Sequence, residues 1–471
     1  MRFSNQPKEA LKVKSAPLGR EFLESQLPRL LEDQVDLISY RRDASVYPAG
    51  RPQAAFRATS TDEVVQVVKI ALQRKLPVYV WGAGSTYAGG VNPSSGGIAL
   101  DVSPMNRILA IDRTRAVVLV EPGVTYGALL EALRPHGLTV GIVPLTGPSG
   151  TVGGTISSHG LGTGSPRFQG TGDEVAGLEV VLADGEILCT GSAVLKEAGF
   201  FQRYAVGPDL TGLFLGANGA FGVITKIALW THPIPAHVET MALGFADYPT
   251  AANFIAHCQE RELFRNVWYG AGYDKAAVAA RIAGAAPAPD FCLGLDLRGE
   301  PEDVAADRRR LTQAARGYGG DEYPIFNDVF FSKLRRDFSF WYGYAGYFSR
   351  SMCALLMTSM ESSTMPRFFA LLTRFRADYP EFTWGAGTVL CRRGLHGAVI
   401  MFYDEQRQWE AARQACIACC EHLLRIGCVP YKTGKVWASL MDNFPAYFKL
   451  LQKLKTALDP QRLLAPDNLA L

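Results

Sequence analysis

The sequence predicts an α+β protein of two domains, on three observations. The chain has 471 residues, more than one hydrophobic core usually serves. Its first half carries two glycine-rich tracts, residues 82–90 and 147–172, each set among short strand-like segments. Its second half, residues 240–425, alternates charged helix-like pieces such as 300–316 with apolar strand-like pieces such as 291–296, the mixed periodicity of an α+β layer.

Taken in order, residues 1–40 read as a polar lead-in and a helix, with Phe22, Leu23, Leu27, Leu30 and Leu31 on one face. Ser60 and Thr61 are set to cap a helix running to about Arg74, with Asp62 and Glu63 in its positive first turn. Residues 76–80 follow as a strand, then the first glycine loop, then strands at 98–102, 108–111 and 117–120. A helix over 126–133 stops at Pro135 and Gly137. After the second glycine tract, strands at 178–182 and 186–188 flank Ala183-Asp184-Gly185, a hairpin turn. Residues 221–230 make another strand, and Pro233 and Pro235 punctuate a boundary. Residues 409–426 read as a helix, and 444–458 as an amphipathic helix ending at Asp459-Pro460.

Composition narrows the function. A net charge of +3 with no long basic run argues against a nucleic-acid partner. No stretch approaches about 18 apolar residues and the start has no apolar leader, so neither a membrane span nor secretion is expected. The nine cysteines are scattered, the usage of reduced thiols in a cytoplasmic protein. Cys416, Cys419 and Cys420 fall on the apolar side of their helix, so buried thiols are expected there, with a metal or redox site as the alternative.

The glycine tracts carry the chemistry. Gly82-Ala83-Gly84 follows a strand, yet its third glycine comes too late for a dinucleotide fingerprint and a strand follows it. On its own it reads as well as a tight turn. The segment Gly147 to Gly164 adds seven glycines and many hydroxyls. Such a stretch gives a core nothing, but it lets backbone N–H groups approach an anion closely. Two such loops suit a pyrophosphate held without a helix dipole.

Six ordered motifs then carry a resemblance: 80–86 (Val-Trp-Gly-Ala-Gly-Ser-Thr), 105–109, 120–124, 151–155, 177–185 and 213–225. Over residues 77–233 the chain resembles the FAD-binding domain of the vanillyl-alcohol oxidase and p-cresol methylhydroxylase superfamily, and residues 455–466 are similar to that family's C-terminal end. The resemblance implies a two-subdomain FAD-binding domain over 1–235 (core about 48–232), an α+β cap with an antiparallel sheet over 236–425, and a segment over 426–471 that returns to the FAD domain. It implies FAD as cofactor, with Gly82, Gly84, Ser85 and Thr86 at the pyrophosphate. Backbone of Gly147, Gly150, Thr151, Gly153, Gly154 and Ser157, and of Gly222, Val223 and Ile224, would line the ring and ribityl chain, and Trp81, Ala83, Pro144 and His159 complete the expected cofactor-binding set. The family also implies a homo-oligomer, often a dimer, and oxygen or a redox protein as electron acceptor.

Two substrate classes compete under this resemblance. Tyr431-Lys432 resembles the Tyr-Arg pair by which the family's phenol oxidases hold a phenolate, with a point charge in place of a fork. Against that reading, the loop 143–146 (Val-Pro-Leu-Thr) lacks the carboxylate those enzymes place beside the flavin. The other class is the D-2-hydroxy-acid dehydrogenases. Residues 293–300 lean that way, but only His396 remains of the histidine-rich metal region those enzymes carry, so no metal is expected. A biosynthetic flavoenzyme and a non-catalytic flavin-binding protein remain as further alternatives. His396, placed just before a strand, and His159 are the candidates for covalent attachment of FAD. Tyr431, Lys432 and His396 form the expected catalytic set. An aromatic run at 338–348, flanked by Arg335, Arg336 and Arg350, is read as pocket wall or core, and Tyr47 as a residue facing the flavin.

Overall fold

The computed structural model describes residues 27, 29–275, 288–327 and 352–471. The aromatic run at 338–348, its flanking arginines and most of the N-terminal lead-in lie outside the described residues.

The first layer is built on helix Thr61–Arg74. Ser60 Oγ accepts from the Glu63 backbone N–H at 3.3 Å, and the Glu63 carboxylate accepts from the Thr59 N–H at 2.7 Å, so orphan donors at the helix start are satisfied from both sides. Lys75 ends it in a left-handed conformation, φ 54°. The apolar face (Val64, Val67, Val68, Ile70, Ala71) is buried on a four-stranded sheet ordered Leu30–Leu31, Ala54–Arg57, Ile98–Asp101, Val78–Trp81. The last three strands run parallel. The first glycine loop therefore leaves the C-terminal end of a parallel strand, where open α/β sheets place their ligands.

The second layer is a six-stranded sheet ordered Ile187–Cys189, Val175–Val181, Val223–Pro233, Val117–Val120, Ile108–Asp112, with Leu138–Val140 also paired to Val223–Pro233. Every residue of Val175–Val181 is buried, as a strand covered on both faces must be. The hairpin before Ile187 turns at Gly185, φ 84°. One expectation fails here. The second glycine tract is not all loop: Val152–Ser157 is a helix, and the Thr151 hydroxyl caps it by accepting from the Gly154 N–H at 3.3 Å. Its small residues hide a helical turn from propensity rules, because backbone hydrogen bonds from Val152 to Val124 and from Gly153 to Pro122 help offset glycine's cost.

The chain crosses between layers within residues 234–236. From His237–Phe245 onward it builds an antiparallel eight-stranded sheet, ordered Asp321–Glu322, His237–Phe245, Phe291–Gly299, Val267–Asp274, Thr383–Leu390, Leu395–Tyr403, Met352–Met360, Val429–Pro430. Helices Tyr248–Glu260, Pro301–Gly317, Met365–Asp378 and Glu405–Arg425 cover one face of it, around Leu295, Leu356, Val399 and Met401. Residues alternate across a strand, so Leu355, Met357, Ile400 and Phe402 point to the opposite face, toward the first half of the chain. Cys416, Cys419 and Cys420 are buried in the helix-side core, and burial raises the Cys419 and Cys420 thiols well above the usual range. The architecture is the α+β arrangement expected: a two-part cofactor-type domain under an antiparallel cap sheet.

Val429–Pro430 still belongs to the edge of the eight-stranded sheet, so the chain leaves that sheet after Pro430 rather than near residue 426. Helix Pro445–Leu458 then packs Phe448, Leu451, Leu454 and Leu458 against the core of the six-stranded layer. Beyond it, Leu463 and Ala465 hydrogen-bond to Val78, extending the four-stranded sheet. Among the described residues no helix is long and apolar enough to cross a membrane.

Candidate active site

Both glycine tracts converge on one elongated cavity, lined from Gly82 and Thr86 of the first loop to Lys432 near the end of the chain. One end is the first loop, where Gly82 to Thr86 line the wall. Gly84 sits at φ 63°, and a Cβ on it would come 2.7 Å from the Trp81 ring. A Cβ on Gly82 would come 2.7 Å from Thr151 Oγ1. The two loops touch through glycine, which is why only glycine fits there. Thr151, Gly153, Gly154 and Ser157 also line it, as do Pro144, Gly222 and Ile224. The far end is closed by the cap strands and by Lys432.

The polar groups around the cavity fit a phosphate-bearing cofactor. Thr86 Oγ1 is buried in the cavity wall with no hydrogen-bond partner among the described residues, and an orphan hydroxyl of that kind is expected to meet a ligand. No carboxylate stands among the described residues lining the cavity, and Lys432 is the charged side chain there.

Four side chains gather at the cap end. His396 and Tyr431 lie with ring centroids 3.8 Å apart, and His159 lies 6.0 Å from Tyr431. The Tyr431 hydroxyl donates to the Gly160 carbonyl at 3.3 Å, and the Thr171 hydroxyl donates to the same oxygen at 2.8 Å. The Ser359 hydroxyl lies 2.8 Å from His396 Nδ1. Burial pushes His396 down to about 3, outweighing a favourable backbone bond at Thr358, and it lowers His159 and raises Tyr431 as well. Burial therefore favours the neutral form of all three. Burial also lowers Lys432, to about 8. Its surface is only partly open, and that opening faces the cavity rather than bulk water.

The structure thus brings together most of the residues singled out in the sequence, with some departures. Trp81 packs under Gly84 and edge-on to Tyr40 at 5.6 Å instead of lining the cavity. Gly147 (φ 65°) and Gly150 shape the turn that presents Thr146 and Thr151. Val223 faces the core of the first layer. His159, φ 51°, turns its ring against Gly216 and away from the wall formed by Ser158 and Gly160. His396 lies inside strand Leu395–Tyr403, not before it. Tyr47 packs against the helix-side core near Cys416 and Cys420, not at the cavity. Sequence reasoning missed Leu355, Met357, Ile400, Phe402 and Asn218. The cap strands are buried on both faces, so no alternation of polarity marks the cavity side.

A parallel strand feeding a glycine loop, a second glycine tract meeting it, and a cap sheet closing the far end define a flavin-binding fold. Residues 52–191 match the family described as FAD binding domain. The chain therefore has an FAD-binding domain, and FAD is the cofactor its cavity fits. Over its whole length it has the fold of 4-ethylphenol oxidase from Gulosibacter chungangensis (TM-score 0.84, 19% identity, 98% of each chain). It has equally the fold of p-cresol methylhydroxylase (TM-score 0.81, 21% identity, 96% of each chain). In sequence it is 31% identical over 217 residues to the glycolate oxidase subunit GlcD of Bacillus subtilis, covering 46% of this chain and 45% of that protein. The chain spans about half the length of the curated relatives it matches.

Proposed function

We propose that the chain is an FAD-dependent oxidoreductase that removes hydride from a benzylic or CH–OH carbon of a para-substituted phenol or aromatic alcohol. The observation that carries this reading is the cap end of the cavity. There a cation, Lys432, stands beside an apolar floor of Leu355, Met357, Ile400 and Phe402, next to Tyr431. FAD, when bound, supplies the hydride acceptor.

This chain's residues would do the rest. The apolar floor seats an aromatic ring and keeps water out. The Lys432 ammonium holds a phenolate oxygen, and the negative charge on that oxygen pushes electron density toward the departing hydride. Tyr431 is fixed by Gly160 and by His396, so its position does not depend on the ligand.

A second reading, oxidation of a D-2-hydroxy acid, is favoured by the likeness to the glycolate oxidase subunit. In it Lys432 would hold the carboxylate. Anaerobic addition of a para-hydroxybenzyl alcohol and, separately, D-lactate to the yellow holoprotein decides between them. Bleaching by the phenol alone supports the first reading, and bleaching by D-lactate alone replaces it with the second.

A further inference from the structure

Lys432 stands where two cavities meet. The second has an empty volume of ≈ 380 Å³. Leu356, Val436 and Trp437 line it alone, and it shares Tyr87, Leu355, Met357 and Lys432 with the cofactor cavity. It passes round the edge of strand Met352–Met360, from the cofactor-facing Leu355 and Met357 to the helix-facing Leu356. Val436 and Trp437 come from the short helix Lys435–Ala438 and are buried. A narrow apolar space that ends on a cation suits a small apolar molecule that becomes an anion on reaction.

We infer that this second cavity admits dioxygen to the reduced cofactor and that Lys432 is the cation beside which oxygen is reduced, making dioxygen the electron acceptor. Dioxygen takes two electrons and one proton from the reduced cofactor and one proton from solvent, leaving oxidised FAD and hydrogen peroxide. The first electron creates superoxide, and a half-buried ammonium beside it stabilises that new negative charge. Tyr431 on its own segment, Tyr87 of the first loop, His396 of the cap sheet and His159 of the second glycine tract surround Lys432. Burial disfavours charge on both histidines, so the lysine supplies it. At neutral pH it is protonated, and the charge is lost as pH rises through about 8. The inference needs the chain to hold FAD but does not depend on which substrate reduces it.

Photoreduced holoprotein, mixed with oxygenated buffer in a stopped-flow instrument, isolates the step from any substrate. The wild type is expected to reoxidise at a rate linear in oxygen. Lys432→Met should slow this by roughly 10–100-fold, while Lys432→Arg should keep most of the rate. Val436→Phe, which fills the second cavity, should slow it several-fold, and Val436→Ala should not. Crystals under xenon should hold a xenon atom between Leu356, Val436 and Trp437, absent in Val436→Phe. Reoxidation of Lys432→Met at the wild-type rate overturns the role of the lysine. Wild-type crystals without xenon at that position overturn the route, whether or not Val436→Phe folds. If no phenol bleaches the protein yet reoxidation still depends on Lys432 and Val436, the substrate reading falls and this one stands.

Discussion

Lys432 carries its charge against the pull of its buried surroundings. Burial alone depresses it, to about 8. If it clamps a phenolate, the affinity for a non-oxidisable para-substituted phenol should weaken as pH rises past about 8, when the ammonium is lost. Lys432→Arg should abolish that fall, since arginine keeps its charge there. Titrating the ligand against holoprotein from pH 6 to about 10 checks both. A flat wild-type profile would remove Lys432 from the binding step. The histidines lead to a second expectation. His396 Nδ1 faces the Ser359 hydroxyl and its ring lies on Tyr431, while the His159 ring is turned into Gly216. Neither presents its ring to the cavity wall, so we expect FAD to be held without a covalent bond. Acid precipitation should leave the yellow colour in the supernatant, and a flavin-fluorescent protein band on a denaturing gel would contradict it.

At the level of elements, the glycine tracts work as spacers between backbones. A Cβ on Gly153 would lie 2.5 Å from Pro122 Cβ, and both residues line the cavity. Gly153→Ala must push the capped helix Val152–Ser157 away from the strand end that precedes Val124. Overpacking of this kind costs about 1–3 kcal/mol, and the displaced helix carries Thr151 and Gly154 of the cavity wall with it. FAD affinity, measured by quenching of flavin fluorescence, should drop about tenfold or more, alongside a loss of apoprotein stability of that size. These tracts were legible in the sequence because glycine at that density has few other uses. The capped helix 61–74, the hairpin at Gly185 and the amphipathic helix near the end were legible from caps, turn residues and period 3.6. The cap's contribution to the site was not. Leu355, Met357, Ile400 and Phe402 differ in no chemical respect from Leu356, Val399 and Met401 on the opposite face. Only the register of the eight-stranded sheet, Ile400 opposite Leu355, separates wall from core.

For the whole molecule, the decisive feature is the return of the chain to its first layer. Lys455 and Asp459 form a buried ion pair at 2.8 Å. Lys455 also donates to the Ala220 and Leu464 carbonyls, and Asp459 accepts from the Leu463 and Leu464 N–H groups. The latch sets Leu463 and Ala465 beside Val78, at the root of the first glycine loop, and Asn468 ties Gly90 to Asn218 from the other side. Lys455→Met leaves a buried carboxylate without its cation, which costs about 3–5 kcal/mol. The urea midpoint should fall accordingly, and FAD should dissociate before the cap unfolds. A variant as stable as the wild type would mean the pair is not a latch. The same connection orders events during synthesis. Domains tend to fold from the N-terminus as the chain emerges, yet here the strand that launches the cofactor loop gains its last backbone partner from residues made more than three hundred positions later. A ribosome-bound chain can assemble most of the flavin cradle, but it cannot close it. Cofactor capture is thereby deferred until the cap has been made, so the first flavin to be held tightly enters a cavity that already has its lid.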